Sequence, residues 1–239
     1  MKKNNVKDSL DKKELHYENV KKFFKKSAAD KFGFYDSKSE EKVEREIKKR
    51  IMWKVYISTL NEILKSDIKI SNVIDVACGM GNFTMELSKH NRFKKIIGID
   101  FLKDTFDIAR KTKNKFENVS FVQGDLLNLP FNDSSFDLTI CLNTLHHIHK
   151  NDFYKVINEL SRITNSYLIL EIRNKNYILL PWKTKIVLPR LYSDLPIFSN
   201  SISEINIIMD KNKFKLKMIK GNSILSWTSW RLLAVYKKI

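Results

Sequence analysis

The sequence predicts an α/β protein built around a mostly parallel β-sheet with helices on both faces. From residue 72 onward, short apolar runs that end at Gly, Asp or Asn alternate with helical stretches. Strands that alternate with helices in this way form parallel sheets. Hydrophobic residues make up 43% of the 239 residues, and a chain of this length removes about 70–75% of its unfolded surface from water. The chain can therefore bury a core around such a sheet.

Two helices are predicted ahead of the sheet, over residues 11–28 and 40–65. In the second, apolar residues recur every three to five positions and form a stripe on an otherwise charged segment. An aromatic loop around Tyr35 separates the two helices. We interpret residues 1–70 as an N-terminal helical extension that acts as a cap over the domain formed by residues 71–239.

Seven strands and four helices are predicted in the rest of the chain. The predicted strands cover Asn72–Ala77, Lys95–Asp100, Val119–Gln123, Phe136–Leu142, Ser166–Ile172, Phe214–Ile219 and Arg231–Lys237. The predicted helices cover Gly81–His90, Lys103–Lys113, Asp152–Ile163 and Ser203–Lys211. Because right-handed crossovers connect parallel strands, this order predicts a doubly wound sheet.

Residues 173–201 interrupt the alternation. Three of the four prolines, Pro181, Pro189 and Pro196, fall in this segment among large apolar side chains. A segment of this length without regular structure is uncommon in a compact domain unless it serves as a lid or a binding loop. We therefore predict a lid insertion after the fifth strand.

The net charge of +17 is concentrated at the two ends of the sequence. Residues 1–70 carry +7, residues 71–172 are neutral and residues 173–239 carry +10. Basic flanks suit an anionic partner such as a phosphorylated metabolite, RNA or an anionic membrane surface. A lysine-rich codon bias that decorates solvated faces explains the same distribution. No compact run of arginines interleaved with aromatics occurs, and we expect no DNA partner.

The cysteine content and the lengths of the apolar runs indicate a cytoplasmic protein. Cys78 and Cys141 are the only cysteines, too few for a disulfide scaffold or a tetrahedral thiolate zinc site. No apolar run approaches the roughly 18–20 residues that span a bilayer, and the basic N-terminus lacks the apolar stretch of a secretory signal. We expect reduced thiols.

A glycine turn follows the first predicted strand. Gly79 and Gly81 lie between that strand and the next helix, where bare backbone lets a ligand approach a helix N-terminus. A dinucleotide-binding fingerprint would have a third glycine at Thr84, and the carboxylate of Asp75 would repel a pyrophosphate. The turn therefore favours a ligand with a cationic end, and a nicotinamide oxidoreductase becomes the weaker alternative.

Carboxylates stand at the ends of three successive strands, at Asp75, Asp100 and Asp125. Ligands of open parallel sheets bind outside these carboxyl ends. Asp100 is placed to accept both ribose hydroxyls of a nucleoside, and Asp125 could accept from an adenine amino group. A single carboxylate of this kind is commonly a helix cap or a solvated residue, but the three together with the glycine turn indicate a nucleoside site.

These residues give the chain a resemblance to a known family. The segments DVACGMG, GID, VQGDLLNLPF and FDLTICLNTLHHI resemble the motifs of class I S-adenosylmethionine-dependent methyltransferases. They are most similar to the ubiquinone/menaquinone-biosynthesis and related small-molecule methyltransferases, over roughly residues 70–175. The resemblance implies a Rossmann-like, doubly wound, seven-stranded sheet and S-adenosyl-L-methionine as the cofactor.

The resemblance also implies roles for individual residues. The glycine turn would lie along the methionine and ribose of the cofactor, Phe101 would lie against the adenine, and the end of the fourth strand would lie near the sulfonium. The implied cofactor-binding residues are Asp75, Ala77, Cys78, Gly79, Gly81, Thr84, Asp100, Phe101, Asp125, Leu126, Leu142 and Asn143.

Histidines follow the fourth predicted strand. His147, ahead of His146, is the candidate general base because similar families often have a histidine there. The alternative is that His147 packs or caps the following turn. No metal site is predicted, since the sequence places no separate carboxylate pair with these histidines.

The implied reaction is methyl transfer by in-line displacement to a small acceptor that is apolar, lipid-like or phosphorylated. The acceptor pocket would combine the Tyr35 loop, the helix over 40–65, the two histidines and the lid. An RNA methyltransferase that uses the basic flanks to hold tRNA or rRNA is the main alternative. A non-catalytic scaffold that keeps the fold and binds without turnover is another.

Overall fold

A seven-stranded sheet forms the centre of the molecule in a computed structural model that describes residues 13–26, 51–66, 69–103, 117–177, 195–223 and 228–239. The strands are β1 (Asn72–Val76), β2 (Lys95–Asp100), β3 (Val119–Gln123), β4 (Phe136–Cys141), β5 (Thr164–Arg173), β6 (Phe214–Gly221) and β7 (Arg231–Lys238). The described helices are α1 (residues 13–26), α2 (Ile51–Leu64), α3 (Asn82–Leu87), α4 (Lys150–Ile163) and α5 (Ile202–Lys211).

The strand order is β3-β2-β1-β4-β5-β7-β6. The first five strands are parallel, whereas β7 runs antiparallel to both β5 and β6. The predicted mostly parallel, seven-stranded sheet is therefore confirmed. The chain moves outward from β1 through β2 to β3 and then returns to place β4 on the other side of β1. This reversal creates a switch point at the carboxyl ends of β1 and β4, where α/β sheets bind ligands.

Helices cover both faces of the sheet, because the strand side chains alternate between two apolar clusters. In β1, Ile74 joins a cluster with α4 and α5, while Val73 joins a cluster with α2 and α3. Leu160 of α4 and Leu60 of α2 are fully buried on opposite faces. Strands buried on both faces explain why the sequence shows continuous apolar runs there.

Several element boundaries differ from the predicted ones for local reasons. β1 ends at Val76, because Ala77 has a φ of 57° and leaves the strand conformation. α4 begins two residues earlier than predicted, because the His149 side chain caps it by accepting from the amide of Asn151. β5 continues to Arg173, because the charge of this arginine is neutralised by an ion pair with the buried carboxylate of Glu171.

Some predicted elements lie outside the described residues. These are the Tyr35 loop, the ends of the helix over 11–28, residues 40–50 of the helix over 40–65, nearly all of the helix over 103–113, and the central part of the lid over 178–194. Among the helices that the structure describes, none is long and apolar enough to cross a membrane.

Candidate active site

A cavity of about 660 Å³ opens at the carboxyl ends of the parallel strands. Its volume falls within the range of about 300–1,000 Å³ that small-molecule sites occupy. The wall comes from α1 and from the segments that follow β1, β2, β3 and β4. Of the predicted cofactor-binding residues, those that line it are Ala77, Cys78, Gly79, Asp100, Phe101, Asp125, Leu126, Leu142 and Asn143.

The glycine turn after β1 leaves open space beside its backbone. Ala77, Gly79 and Gly81 have φ angles of 57°, 55° and 73°, in the left-handed region that glycine adopts without strain. A Cβ atom on Gly79 would meet no atom within 4 Å. The amide of Cys78 donates to the Ile99 carbonyl over 3.0 Å, which ties the turn to β2. The turn is thus fixed in shape and accessible to a ligand.

Asp100 joins the ends of β1 and β2 and keeps capacity to accept further hydrogen bonds. The amide of Gly79 donates to its Oδ2 over 2.8 Å, and the amide of Leu102 donates to its Oδ1 over 3.1 Å. Asp100 is 6% exposed, and this burial raises the pKa of its carboxyl. The backbone of Phe101 also hydrogen-bonds to this carboxylate. Because a carboxylate has about four acceptor positions, it keeps capacity for a further hydrogen bond. A carboxylate acceptor in the cavity wall suits a hydroxyl of a ribose.

Asp125 lies at the end of β3, at another part of the rim. Its side chain is exposed, and its Oδ1 accepts from the amide of Leu127 over 2.9 Å. Gln123 donates to the Phe101 carbonyl over 3.1 Å, which connects the segments after β2 and β3. The structure therefore brings Asp100 and Asp125 to one cleft, as predicted.

Asp75, Gly81 and Thr84 stand behind the turn and not in the cavity wall. The Thr84 hydroxyl donates to Asp75 Oδ2 over 2.7 Å, and the two residues are 0% and 2% exposed. Burial raises the pKa of Asp75 to about 7, although the hydrogen bond from Thr84 acts in the opposite direction. Gly81 is the N-cap of α3. These residues shape the turn, and their direct contact with a ligand stays a prediction.

The two candidate histidines lie in a 3-10 turn and differ in access to the cavity. His147 lines the cavity, whereas His146 does not. Burial and the charge of Arg173 lower the pKa of His147 to about 3, and the same causes lower that of His146. His146 Nε2 accepts from Arg173 over 3.3 Å. Both rings are neutral at physiological pH.

A buried charged cluster behind Asn143 is absent from the sequence predictions. Glu171, fully buried in β5, accepts from Arg173 Nη1 over 2.5 Å and from Arg231 Nε over 2.7 Å. The Tyr56 hydroxyl also donates to Glu171. The sequence could have indicated the pair of Glu171 and Arg173, because residues two positions apart on a strand lie on the same face. Arg231 lies 60 residues further along the chain, and nothing in the sequence connects it to them.

Helix α1 forms a wall of the cavity that the sequence predictions did not assign residue by residue. Tyr17, Val20, Lys21 and Phe24 line the cavity at helical spacing. The ring of Phe24 meets that of His147 edge to face, with centroids 5.1 Å apart. By contrast, the described part of the helix predicted over 40–65 contributes no residue to this cavity.

Polar contacts fix α1 against α4 and the histidine turn. Asp152 accepts from Lys13 over 2.6 Å and from the Tyr17 hydroxyl over 2.8 Å. His16 Nε2 donates to the carbonyl of His147 over 2.8 Å. Since Asp152 and His16 are 6% and 7% exposed, these bonds lie inside the interface.

Comparisons with known proteins agree with this architecture. A family described as a methyltransferase domain matches residues 73–166. The demethylmenaquinone methyltransferase of Staphylococcus saprophyticus is 31% identical over 94 residues, which are 39% of this chain and 40% of that protein. That of Staphylococcus aureus strain JH9 is 32% identical over 96 residues, covering 40% of this chain and 39% of that protein. The chain thus matches about two fifths of the length of these relatives.

Solved structures extend the similarity beyond the matched segment. The magnesium protoporphyrin IX methyltransferase of Synechocystis PCC 6803 with bound SAH has a TM-score of 0.60 at 18% identity and covers 82% of this chain and 83% of its own. A protein of Pyrococcus horikoshii OT3 has a TM-score of 0.60 at 23% identity, over 78% and 91% of the two chains. At these identities the likeness concerns the fold. The seven-stranded sheet thus has the fold of the methyltransferase among these solved structures, and residues 73–166 match the methyltransferase-domain family.

Proposed function

We propose that the protein is an enzyme that transfers a methyl group from S-adenosyl-L-methionine to a small acceptor molecule. The observation that carries this proposal is the convergence of the glycine turn, Asp100 and Asp125 on one cavity at the switch point. The turn offers bare backbone, Asp100 offers a carboxylate acceptor for the ribose, and Asp125 offers an acceptor for the adenine amino group. The residues present therefore fit the cofactor.

In this proposal, the residues of the protein bind the cofactor and orient the acceptor. When bound, S-adenosylmethionine supplies a methyl group activated by a positively charged sulfur. Phe101 and Leu126 would enclose the adenine, while Leu142 and Asn143 at the end of β4 would face the sulfur. The remaining task of the protein is to hold the acceptor in line with the methyl group and to exclude water.

His147 acts in this proposal as a hydrogen-bond acceptor that orients the methyl acceptor. Its ring lines the cavity and is neutral, because burial first and the charge of Arg173 second lower its pKa to about 3. A group with so low a pKa is a weak proton acceptor at neutral pH. His146, which accepts from Arg173, supports the turn that carries His147.

The acceptor that fits this cavity best is small and largely apolar. Val20, Phe24, Leu127 and Ile148 line the cavity beside the proposed cofactor residues. The staphylococcal relatives act, by their names, on demethylmenaquinone, which supports an acceptor of this kind. The relatives named above give the alternative of an RNA acceptor no support.

The proposed division of the chain follows from these contacts. Residues 1–70 would cap the site, and the described helix α1 already lines the cavity. Residues 173–201 would form a lid whose described ends are tied down. The amide of Asn200 donates to the Arg173 carbonyl over 3.0 Å, and that of Phe198 to the His146 carbonyl over 2.9 Å.

Calorimetric titration tests the cofactor part of the proposal. We expect correctly folded protein to bind S-adenosylmethionine and S-adenosylhomocysteine with micromolar affinity and to give no signal with NAD. Incubation with radiolabelled S-adenosylmethionine, a metabolite extract and total RNA then separates the two acceptor classes. Failure to bind either cofactor form would contradict the proposed function, and label in RNA alone would contradict the small-molecule acceptor.

A further inference from the structure

Helix α1 brings a positive charge into the wall of the cavity. Lys21 lines the cavity together with Tyr17, Val20 and Phe24 of the same helix, and its side chain is exposed. Among the described residues that line the cavity, Lys21 is the only lysine or arginine. The ring of His147 in the same wall is neutral, because burial lowers its pKa to about 3. The positive charge of the described wall therefore comes from α1.

The ammonium group of Lys21 has no partner within the part of the chain that the structure describes. It forms neither an ion pair nor a side-chain hydrogen bond there. Lys13 of the same helix shows the contrast, since its Nζ donates to the buried carboxylate of Asp152 over 2.6 Å. The carboxylates of the cavity wall, at Asp100 and Asp125, accept from backbone amides instead. Lys21 therefore keeps its donors for a ligand.

The carboxylates and the ammonium group of the cavity wall come from different elements. Asp100 and Asp125 lie at the edge of the sheet, where the proposed function puts the cofactor, whereas Lys21 lies on α1 beside the proposed acceptor wall. All charged residues between positions 20 and 26 are lysines, and such a run of one sign attracts anions towards the cavity. Of these lysines, only Lys21 lines the cavity. An anionic group of the acceptor therefore has one residue of α1 to bind.

We propose that Lys21 is a specificity-determining residue that binds an anionic group of the methyl acceptor. The acceptor class is then an amphipathic acid, in which an apolar body carries a carboxylate or a phosphate monoester. Lys21 contacts the anionic group and so selects the acid over a neutral molecule of the same shape. This inference rests on the proposed function, because it assigns the acceptor of the same site.

The residues on either side of Lys21 suit the apolar body of such an acceptor. Val20 precedes it and is buried, and Phe24 lies one turn further along α1 with its ring edge to face against that of His147. A neutral apolar molecule gains the same contacts with this wall. Only an acid also gains a charge-assisted hydrogen bond from Lys21, and such bonds are about twice as strong as neutral ones. The lysine therefore contributes to specificity, and the apolar wall contributes affinity for both kinds of molecule.

Two fluorescent probes with the same aromatic body test this role in protein saturated with S-adenosylhomocysteine. 8-Anilino-1-naphthalenesulfonate carries a negative charge, and N-phenyl-1-naphthylamine is its neutral counterpart. We expect Lys21→Gln to weaken binding of the sulfonate about 3- to 10-fold and to leave binding of the neutral probe within about twofold, as measured by fluorescence titration. Phe24→Ala should weaken both probes, because it removes apolar surface from the cavity wall.

Competitors that share one alkyl chain distinguish the two kinds of acid. Decanoate offers a carboxylate, decyl phosphate offers a phosphate monoester, and 1-decanol is the neutral reference. At least one of the two acids should displace the sulfonate probe from the wild-type complex at a lower concentration than 1-decanol does. The acid with the larger advantage identifies the anionic group that Lys21 prefers, and this advantage should shrink in Lys21→Gln.

Lys22 provides a matched control on the same helix. Its side chain is exposed like that of Lys21, but it does not line the cavity. Lys22→Gln removes the same charge one position away and should leave both probes unchanged. Lys21→Arg keeps the charge and should retain most of the affinity for the sulfonate. Glutamine and arginine are good helix formers, so these variants should fold, and thermal melting of each one checks this.

Three results would overturn the inference while the proposed function stands. The first is a complex with S-adenosylhomocysteine that does not bind the sulfonate, or that binds it equally well in Lys21→Gln. The second is an equal loss in Lys21→Gln and Lys22→Gln, which would assign the effect to the general charge of α1. The third is a loss in Lys21→Gln of affinity for S-adenosylhomocysteine but not for the sulfonate, which would assign Lys21 to the cofactor. Wild-type protein that binds no cofactor would overturn the proposed function itself, and this inference with it.

Discussion

Asp100 is one side chain that serves the fold and the candidate site at once. Its carboxylate accepts from the amides of Gly79 and Leu102 and so holds the glycine turn against β2. The same residue lines the cavity. A substitution at Asp100 should therefore weaken the proposed ligand site and loosen the glycine turn that forms part of it.

Asp100→Ala should weaken binding of S-adenosylhomocysteine about 10- to 100-fold, since hydrogen bonds to a charged group contribute about 1.5–3 kcal/mol. Calorimetric titration measures the change. Asp133→Ala is a suitable control, because Asp133 is largely exposed and pairs with Arg162 outside the cavity. Equal affinities in the wild type and Asp100→Ala would remove Asp100 from the binding site.

The buried carboxyl of Asp75 should make the free energy of unfolding depend on pH. Burial raises its pKa from 3.8 to about 7, so the folded protein binds this proton more tightly than the unfolded chain. The resulting stabilisation is complete below about pH 4 and is lost as the pH rises through about 7. Asp75→Asn stays neutral and keeps an oxygen that accepts from Thr84.

Urea denaturation at pH 5 and pH 8 should therefore distinguish the two proteins. We expect the free energy of unfolding of Asp75→Asn, relative to wild type, to rise by on the order of 2 kcal/mol between these values. Asp133→Asn, at an exposed site, should show no such rise. A constant difference at both pH values would show that Asp75 does not titrate in this range.

At the scale of elements, α1 is held by a few polar contacts at one end of the cavity. Lys13 and Tyr17 both donate to Asp152, and His16 donates to the carbonyl of His147. The same helix presents Val20 and Phe24 to the cavity. Release of α1 would therefore open the cavity and remove part of the acceptor wall.

Asp152→Ala should release α1 without disturbing the sheet. Loss of two hydrogen bonds at a buried carboxylate costs about 1.5–3 kcal/mol, so amide hydrogen exchange within residues 13–26 should accelerate about 10- to 100-fold. Asp210→Ala, which removes an exposed carboxylate paired with Lys215, provides the control. Unchanged exchange in Asp152→Ala would mean that apolar packing alone holds the helix.

At the scale of the whole molecule, part of the positive charge has a structural explanation. β6 is an edge strand of the sheet and places exposed Lys215 and Lys217 along it. Lysines on an edge strand discourage pairing with the edge of another sheet. This placement agrees with the interpretation that much of the C-terminal charge decorates solvated faces.

Ligand binding should stabilise the whole domain, because the cavity joins the ends of four strands to α1. S-adenosylhomocysteine at 100 times its dissociation constant should add about 2.7 kcal/mol. For a domain of this size that corresponds to a rise in Tm of about 5–10 °C, which differential scanning fluorimetry can detect. NAD at the same concentration should leave Tm unchanged, and an equal shift with NAD would contradict the assigned cofactor.

The order of strands and helices followed from the sequence because the signals are local. The bounds of β2 and β3 match the predictions residue for residue, since each strand is a largely apolar run closed by a polar residue. The glycine turn and the carboxylates at the strand ends could be predicted from the sequence for the same reason. In a parallel sheet, the carboxyl ends of neighbouring strands meet at one edge, so Asp100 and Asp125 had to approach each other.

Tertiary structure alone decided the wall of the cavity opposite the turn and the charged cluster behind Asn143. The contact of Lys13 with Asp152 spans 139 positions of sequence, and that of Arg231 with Glu171 spans 60. The packing of whole helices and strands sets such contacts, and no local pattern encodes them. Spacing along the chain determined which residues end the strands. The folding of distant segments onto that edge determined which other side chains line the cavity.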